Sequence, residues 1–119
     1  MEKHATILLV EDNTLLAETT ADILTDAGYE VIHVENGDQA IHLLRHTRVD
    51  IIVSDIVMPG GLSGLELVHE VSLLYPGIRT LLVTGFGSSL SLPAELKSRV
   101  LHKPFGADAL LDAVQRLQE

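Results

Sequence analysis

Two rhythms of apolar residues alternate along the chain. Ala5 to Val10, Ile51 to Ser54 and Thr80 to Thr84 are short runs, apolar or small at nearly every position. Such runs read as strands covered on both faces, as in a parallel sheet. Glu30 to Glu35 instead alternates apolar and polar side chains and reads as a strand nearer an edge, while Val100 to His102 makes a brief fifth strand. Between the strands the apolar positions return at helical spacing. Leu16, Thr20, Ile23, Leu24 and Ala27 share one face, with Asn13 or Thr14 placed to cap the helix and Gly28 to stop it. Asn36-Gly37 turns the chain into a second helix marked by Ala40, Ile41, Leu43 and Leu44, ending near His46 to Arg48. Leu65, Leu67, Val68, Val71 and Leu74 mark a third, opened by Ser63-Gly64 and closed by Pro76-Gly77. Pro93 suits the first position of a short helix to about Ser98. Ala107, Leu110, Ala113, Val114 and Leu117 give the last helix, with Asp108 in its first turn, where the dipole favours an acid.

Five strands alternating with five helices predict an α/β fold: one doubly wound, five-stranded parallel sheet with helices on both faces and right-handed crossovers. Ligands in such sheets sit outside the carboxyl ends of the strands, where the strand order reverses. Glu11-Asp12, Asp55, Thr84 and Lys103 stand at the carboxyl ends of strands 1, 3, 4 and 5, with Asp55 in the loop after its strand.

Composition narrows the field. The 119 residues suit a single domain, 1–119, able to bury a core without staples. Hydrophobic residues form 46% of the chain but aromatics only 3%, so the core is built from Leu, Val, Ile and Ala. Eight basic against 17 acidic residues leave a net charge of −9, which repels nucleic-acid phosphate and anionic membrane surfaces. The absence of cysteine excludes disulfides, thiolate metal sites and a cysteine nucleophile. Met1 to Ala5 lacks the basic start and apolar stretch of a signal peptide, and no apolar run reaches membrane-spanning length, so a cytoplasmic location is expected.

Carboxylates gathered at neighbouring strand ends repel one another. Two like charges about 4 Å apart cost on the order of 4 kcal/mol at an effective dielectric near 20. A cation is therefore expected among them, and a few oxygen ligands with room for water describe Mg²⁺ better than zinc or copper. A phosphoryl group beside that ion would need further positive charge, available from Lys103, and a hydroxyl donor, available from Thr84. Asp55 is then the natural nucleophile for an acyl phosphate.

LLVEDN with its acidic pair, IIVSDIVMP around Asp55, the Thr of LLVTG and the KPF after strand 5 occur in this order over the whole chain. In these marks the sequence resembles the receiver domains of bacterial two-component response regulators, including those attached to hybrid sensor kinases. The resemblance implies a flavodoxin-like (βα)5 fold of strand order 2-1-3-4-5. It also implies a phosphorelay function: Asp55 takes a phosphoryl group from a histidine kinase or histidine phosphotransfer protein, with Mg²⁺ as cofactor. Asp12, Asp55 and the backbone carbonyl of Val57 would bind the metal directly and Glu11 through water. Lys103 would pair with a phosphoryl oxygen, its bond to Pro104 being cis. Thr84 would move toward the phosphoryl group and bias the surface of the fourth helix, fifth strand and last helix, read by a downstream protein or a fused domain. Such a module is a signalling domain rather than an enzyme, though able to catalyse its own phosphorylation and dephosphorylation.

Three features depart from the family pattern. Val100 stands where an aromatic switch residue is usual, the Thr84 to Lys103 segment is short, and the PGG loop carries an extra residue before Gly64. Two other functions share parts of the pattern. An Mg²⁺-dependent aspartyl-phosphate phosphohydrolase would need a second acid two residues after Asp55, where Val57 stands; a flavodoxin-type module would need a Ser/Thr/Gly phosphate loop where Glu11-Asp12-Asn13 stands. His42 and His46, four apart on one helix, read as surface residues rather than metal ligands, and His102 as packing or surface. Phe86 and Phe105 read as core plugs.

Overall fold

The computed structural model describes residues 5–56, 62–85 and 100–118. They form β1 (Thr6–Val10), α1 (Thr14–Asp26), β2 (Glu30–Val34), α2 (Gly37–Leu44), β3 (Ile51–Asp55), α3 (Gly64–Leu74), β4 (Arg79–Thr84), β5 (Val100–His102) and α4 (Ala107–Leu117). All strand pairs are parallel, in the order β2-β1-β3-β4-β5. The fold class and strand order expected from the sequence are therefore observed. The short helix expected from Pro93 lies outside the described residues, as do Val57 and Phe86.

Alternate residues of the central strands feed two cores. Ile7, Leu9, Ile51, Val53, Leu81 and Val83 pack on one face with Ala17 and Leu24 of α1 and Leu110 and Val114 of α4. Leu8, Val10 and Ile52 pack on the other with Ala40 and Leu44 of α2 and Leu67 and Val71 of α3. Each fully buried Leu or Ile contributes about 1.5–3 kcal/mol, so the two apolar layers hold the fold and leave the strand ends free to carry unfavourable charge. β2 lies at the edge, none of its residues fully buried, as its alternating pattern requires.

Local signals set the helix starts. Asn13 and Asn36 cap α1 and α2, their side chains accepting from the amides of Leu16 and Gln39. Ser63 and Glu66 form a reciprocal capping box at α3. Gly28 takes a φ of 103°, open to glycine, just past α1. β1 starts at Thr6 rather than Ala5, β2 ends at Val34 rather than Glu35 and β4 starts at Arg79 rather than Thr80, and two further boundaries differ from expectation. α2 ends at Leu44, because the His46 and Thr47 amides turn back onto the Leu43 carbonyl and close the last turn early. Asp55 is the final residue of β3 rather than part of the following loop: its backbone pairs with Val83, and the Ile56 amide donates to the Val83 carbonyl at 2.9 Å.

At the opposite end of the sheet Asp50 ties three strands together. Its carboxylate accepts from the Thr6 amide at 2.8 Å, its own amide donates to the Thr6 carbonyl at 2.9 Å, and its carbonyl accepts from the Arg79 amide at 3.1 Å.

Candidate functional site

β1 and β3 are neighbours although β2 lies between them in sequence, so the strand order reverses beside β1. Glu11, the residue after β1, and Asp55, the last of β3, stand on either side of that reversal, where a doubly wound sheet binds ligands. Both are buried, at 5% and 7% exposure, whereas Asp12 is exposed. Carboxylate oxygens of Glu11, Asp12 and Asp55 lie within 4.8 Å of one another.

β5 delivers the cation. The Lys103 amide donates to the Thr84 carbonyl at 2.7 Å, which extends the β4–β5 ladder and aims the side chain inward. Its Nζ reaches Asp55 Oδ1 at 3.0 Å and Glu11 Oε1 at 3.6 Å. The Lys103–Pro104 peptide bond is cis, as the resemblance implies. Thr84 ends β4, buried at 2% exposure. The sequence-derived residues Glu11, Asp12, Asp55, Thr84 and Lys103 thus converge at the carboxyl ends of four strands; Val57 lies outside the described residues.

Burial, and after it the neighbouring Asp55, leave their mark on Glu11. Burial raises its carboxyl from the ordinary 4.5 to about 7, with a hydrogen bond to Asp55 and the Asp55 charge adding to the rise; the Asn13 amide on Oε2, at 3.1 Å, and Lys103 oppose it. Burial alone would lower the Lys103 ammonium, but its hydrogen bond with Asp55 and the two carboxylate charges outweigh burial and raise it.

A measurable consequence follows for the metal-free protein. Between about pH 4.5 and 7 the unfolded chain ionises Glu11 while the folded chain keeps it protonated, so stability falls as pH rises through that window and levels off above it. The expected loss between pH 5 and 8 is on the order of 2 kcal/mol, and Glu11→Gln should remove it. Denaturant unfolding of both proteins across that range checks this; identical slopes against pH would refute it.

The donor set is suited to a metal. It is all oxygen, it concentrates negative charge beside a buried wall, and its exposed member Asp12 leaves the outer side to water. These are properties of a hard divalent ion's site and are consistent with Mg²⁺.

Among the remaining candidates, His42 and His46 are exposed, their rings edge to face at 5.3 Å, and His102 is exposed. Phe105 packs half-buried against the first core, and Val100 against Ile56, Val68 and Leu82. Sequence reasoning missed Gly64, whose only local signal was a turn. A Cβ on Gly64 would fall on the Asp55 carbonyl oxygen and 2.8 Å from Ile56 Cα, and its amide donates to the Ile56 carbonyl at 2.8 Å.

The architecture and the lysine-bridged acidic pocket define a doubly wound α/β protein with its site at the topological switch point. The family model of the response regulator receiver domain matches residues 7–115, and the chain belongs to that family. Receiver domains are phosphoacceptor signalling modules. A response regulator receiver protein of Anaeromyxobacter sp. (strain Fw109-5) is 39% identical over 108 residues, covering 88% of this chain and 45% of that protein. The receiver protein CpdR of Brucella abortus is 31% identical, covering 93% of this chain and 94% of that protein. Among solved structures, the chemotaxis response regulator CheY4 of Vibrio cholerae superposes with a TM-score of 0.80 at 30% identity, covering 97% of this chain and 99% of that one. This chain thus spans less than half of the first relative and nearly all of the second. No helix among the described residues is long and apolar enough to cross a membrane.

Proposed function

We propose that Asp55 is the phosphoacceptor of a two-component phosphorelay, that Glu11, Asp12 and Asp55 hold Mg²⁺, with the Val57 carbonyl as a further ligand, and that the donor is a phosphohistidine on a histidine kinase or histidine phosphotransfer protein. The observation that carries this reading is Asp55 itself: the end residue of a buried strand, bonded through Oδ1 to Lys103 Nζ at 3.0 Å and facing two further carboxylates.

A carboxylate oxygen of Asp55 forms the new bond to phosphorus as the P–N bond of the donor breaks, and the electron pair of that bond leaves with the imidazole. Mg²⁺, when bound, neutralises charge on the carboxylates and on the transferred oxygens. Lys103 moves its charge from the Asp55 carboxylate to a phosphoryl oxygen, a short step from its present position. Thr84, at the end of β4, offers a hydroxyl to another phosphoryl oxygen and couples the site to the neighbouring surface. That surface is read by a downstream protein or by a domain on the same polypeptide, and residues 1–119 act as one receiver unit. The net charge of −9 fits protein partners rather than nucleic acid or membrane, and a cytoplasmic setting suits a phosphohistidine donor. A phosphohydrolase is not favoured, since the chain has Val57 where that chemistry needs an acid.

Incubation with acetyl phosphate and Mg²⁺ tests the assignment. The expected result is one added phosphoryl group on the peptide containing Asp55, lost when Mg²⁺ is chelated. Undiminished labelling of Asp55→Asn would overturn it.

A further inference from the structure

The acidic pair is held from outside the site. Past Val10 the chain leaves the sheet, and its next peptide joins Glu11 to Asp12, so the orientation of that peptide decides whether the two carboxylates converge on Asp55 or diverge. Two groups of the edge strand hold Glu11, one at the peptide before its Cα and one at the Glu11–Asp12 peptide itself. The Glu11 amide donates to the Val34 carbonyl at 3.0 Å, the last rung of the β1–β2 ladder, and the Glu11 carbonyl lies 2.7 Å from Nε2 of His33. A carbonyl oxygen only accepts, so Nε2 carries the proton and donates. Both the neutral ring protonated at Nε2 and the imidazolium can do this. Among the described residues no other hydrogen bond to the Glu11 carbonyl is found.

We propose that His33 is a positioning residue for the metal site: its Nε2–H fixes the Glu11–Asp12 peptide and so presents both carboxylates toward Asp55. The inference rests on the reading of Glu11, Asp12 and Asp55 as a Mg²⁺ site. His33 touches neither metal nor phosphoryl group. It is exposed on an edge strand and contributes little packing, so its worth lies in this one contact. Register explains why it reaches: His33 pairs with Leu9, two residues before Glu11 in the adjacent parallel strand, and a ring of this length spans that offset.

Side-chain topology supplies the test. Glutamine carries its amide nitrogen the same number of bonds from the backbone as Nε2, whereas asparagine carries its own one bond shorter, at the position of Nδ1. Wild type, His33→Ala, His33→Gln and His33→Asn are titrated with Mg²⁺ and followed by the amide resonances of Asp12 and Asn13. Affinity should fall about fivefold in the alanine and asparagine variants, the equivalent of one hydrogen bond of about 1 kcal/mol, and should recover in the glutamine variant. A second readout needs no metal. The nitrogen of the Asp12 amide belongs to the clamped peptide, so its chemical shift should move in the metal-free alanine and asparagine variants and return in the glutamine variant. Equal Mg²⁺ affinity in the glutamine and asparagine variants overturns the clamp while leaving the metal site standing. Wild type that shows no Mg²⁺-dependent shift at Asp12 overturns the metal site, and the clamp's role with it.

Discussion

Gly64→Ala should cost about 3 kcal/mol of stability and abolish phosphoacceptance, although residue 64 carries no reactive group. The first turn of α3 lies directly against the end of β3. A methyl group at Gly64 would occupy the space of the Asp55 carbonyl oxygen and stand 2.8 Å from Ile56 Cα. Neither obstacle is a flexible side chain. Asp55 is fixed by its pairing with Val83, and the Ile56 carbonyl by the Gly64 amide, so relief requires moving either α3 or the strand end that carries the acid. Gly77 provides the control: nothing lies within 4 Å of a Cβ built there, so Gly77→Ala should stay within about 0.5 kcal/mol of wild type. Denaturant unfolding and acetyl phosphate labelling of the two variants decide the matter. Wild-type stability and labelling in Gly64→Ala would show that the contact yields more easily than its backbone setting allows.

Lys103→Met should slow phosphorylation of Asp55 by about 100-fold, the scale expected when a preorganised positive donor is removed from developing charge. Methionine keeps much of the stem's packing and deletes the ammonium that stands 3.0 Å from Asp55 and 3.6 Å from Glu11. The same change alters the resting protein. Without the cation, the carboxylates face one another unscreened, and the folded state relieves this only by holding a proton. Stability at pH 8 should therefore drop by about 1–3 kcal/mol, and by less at pH 5, where Glu11, with its carboxyl raised to about 7, is already neutral. Phosphorylation rates from acetyl phosphate and unfolding curves at the two pH values measure both effects. A rate within twofold of wild type would remove Lys103 from the mechanism.

The strands were legible because a parallel sheet covered on both faces demands consecutive apolar residues, and Ile51, Ile52 and Val53 meet that demand without interruption. The site was legible for a related reason: in this architecture an acid or a lysine directly after such a run can only stand at the mouth of the sheet. Asp55 was placed one step too late because side-chain polarity marks where burial changes, whereas a strand ends where its backbone pairing ends, and the ladder to Val83 continues through the aspartate. The end of α2 was overextended toward Arg48 because neither glycine nor proline marks it; the chain turns on backbone bonds to Leu43. Gly64 and His33 escaped notice because their partners are remote in sequence. A Ser-Gly pair announces a helix start but not the carbonyl it presses against, and an outward histidine on an alternating strand reads as solvated until register places it beside Glu11.

The clasp at Asp50 makes the sheet a ruler. Thr6 to Glu11 and Asp50 to Asp55 contain the same number of residues, both measured from the mutual hydrogen bonds of Thr6 and Asp50, and Arg79 to Thr84 is counted from the Asp50 carbonyl. The two acids reach the same height at the far end because their strands are zeroed at one pair and cut to one length, and Thr84 stands one residue beyond, since Asp55 pairs with Val83. Within these strands a substitution exchanges one side chain, whereas a single inserted or deleted residue would exchange the faces of every position beyond it and bring the wrong side chain to the mouth. Between Asp50 and the chemistry the strands should therefore tolerate a change of side chain far better than a change of length.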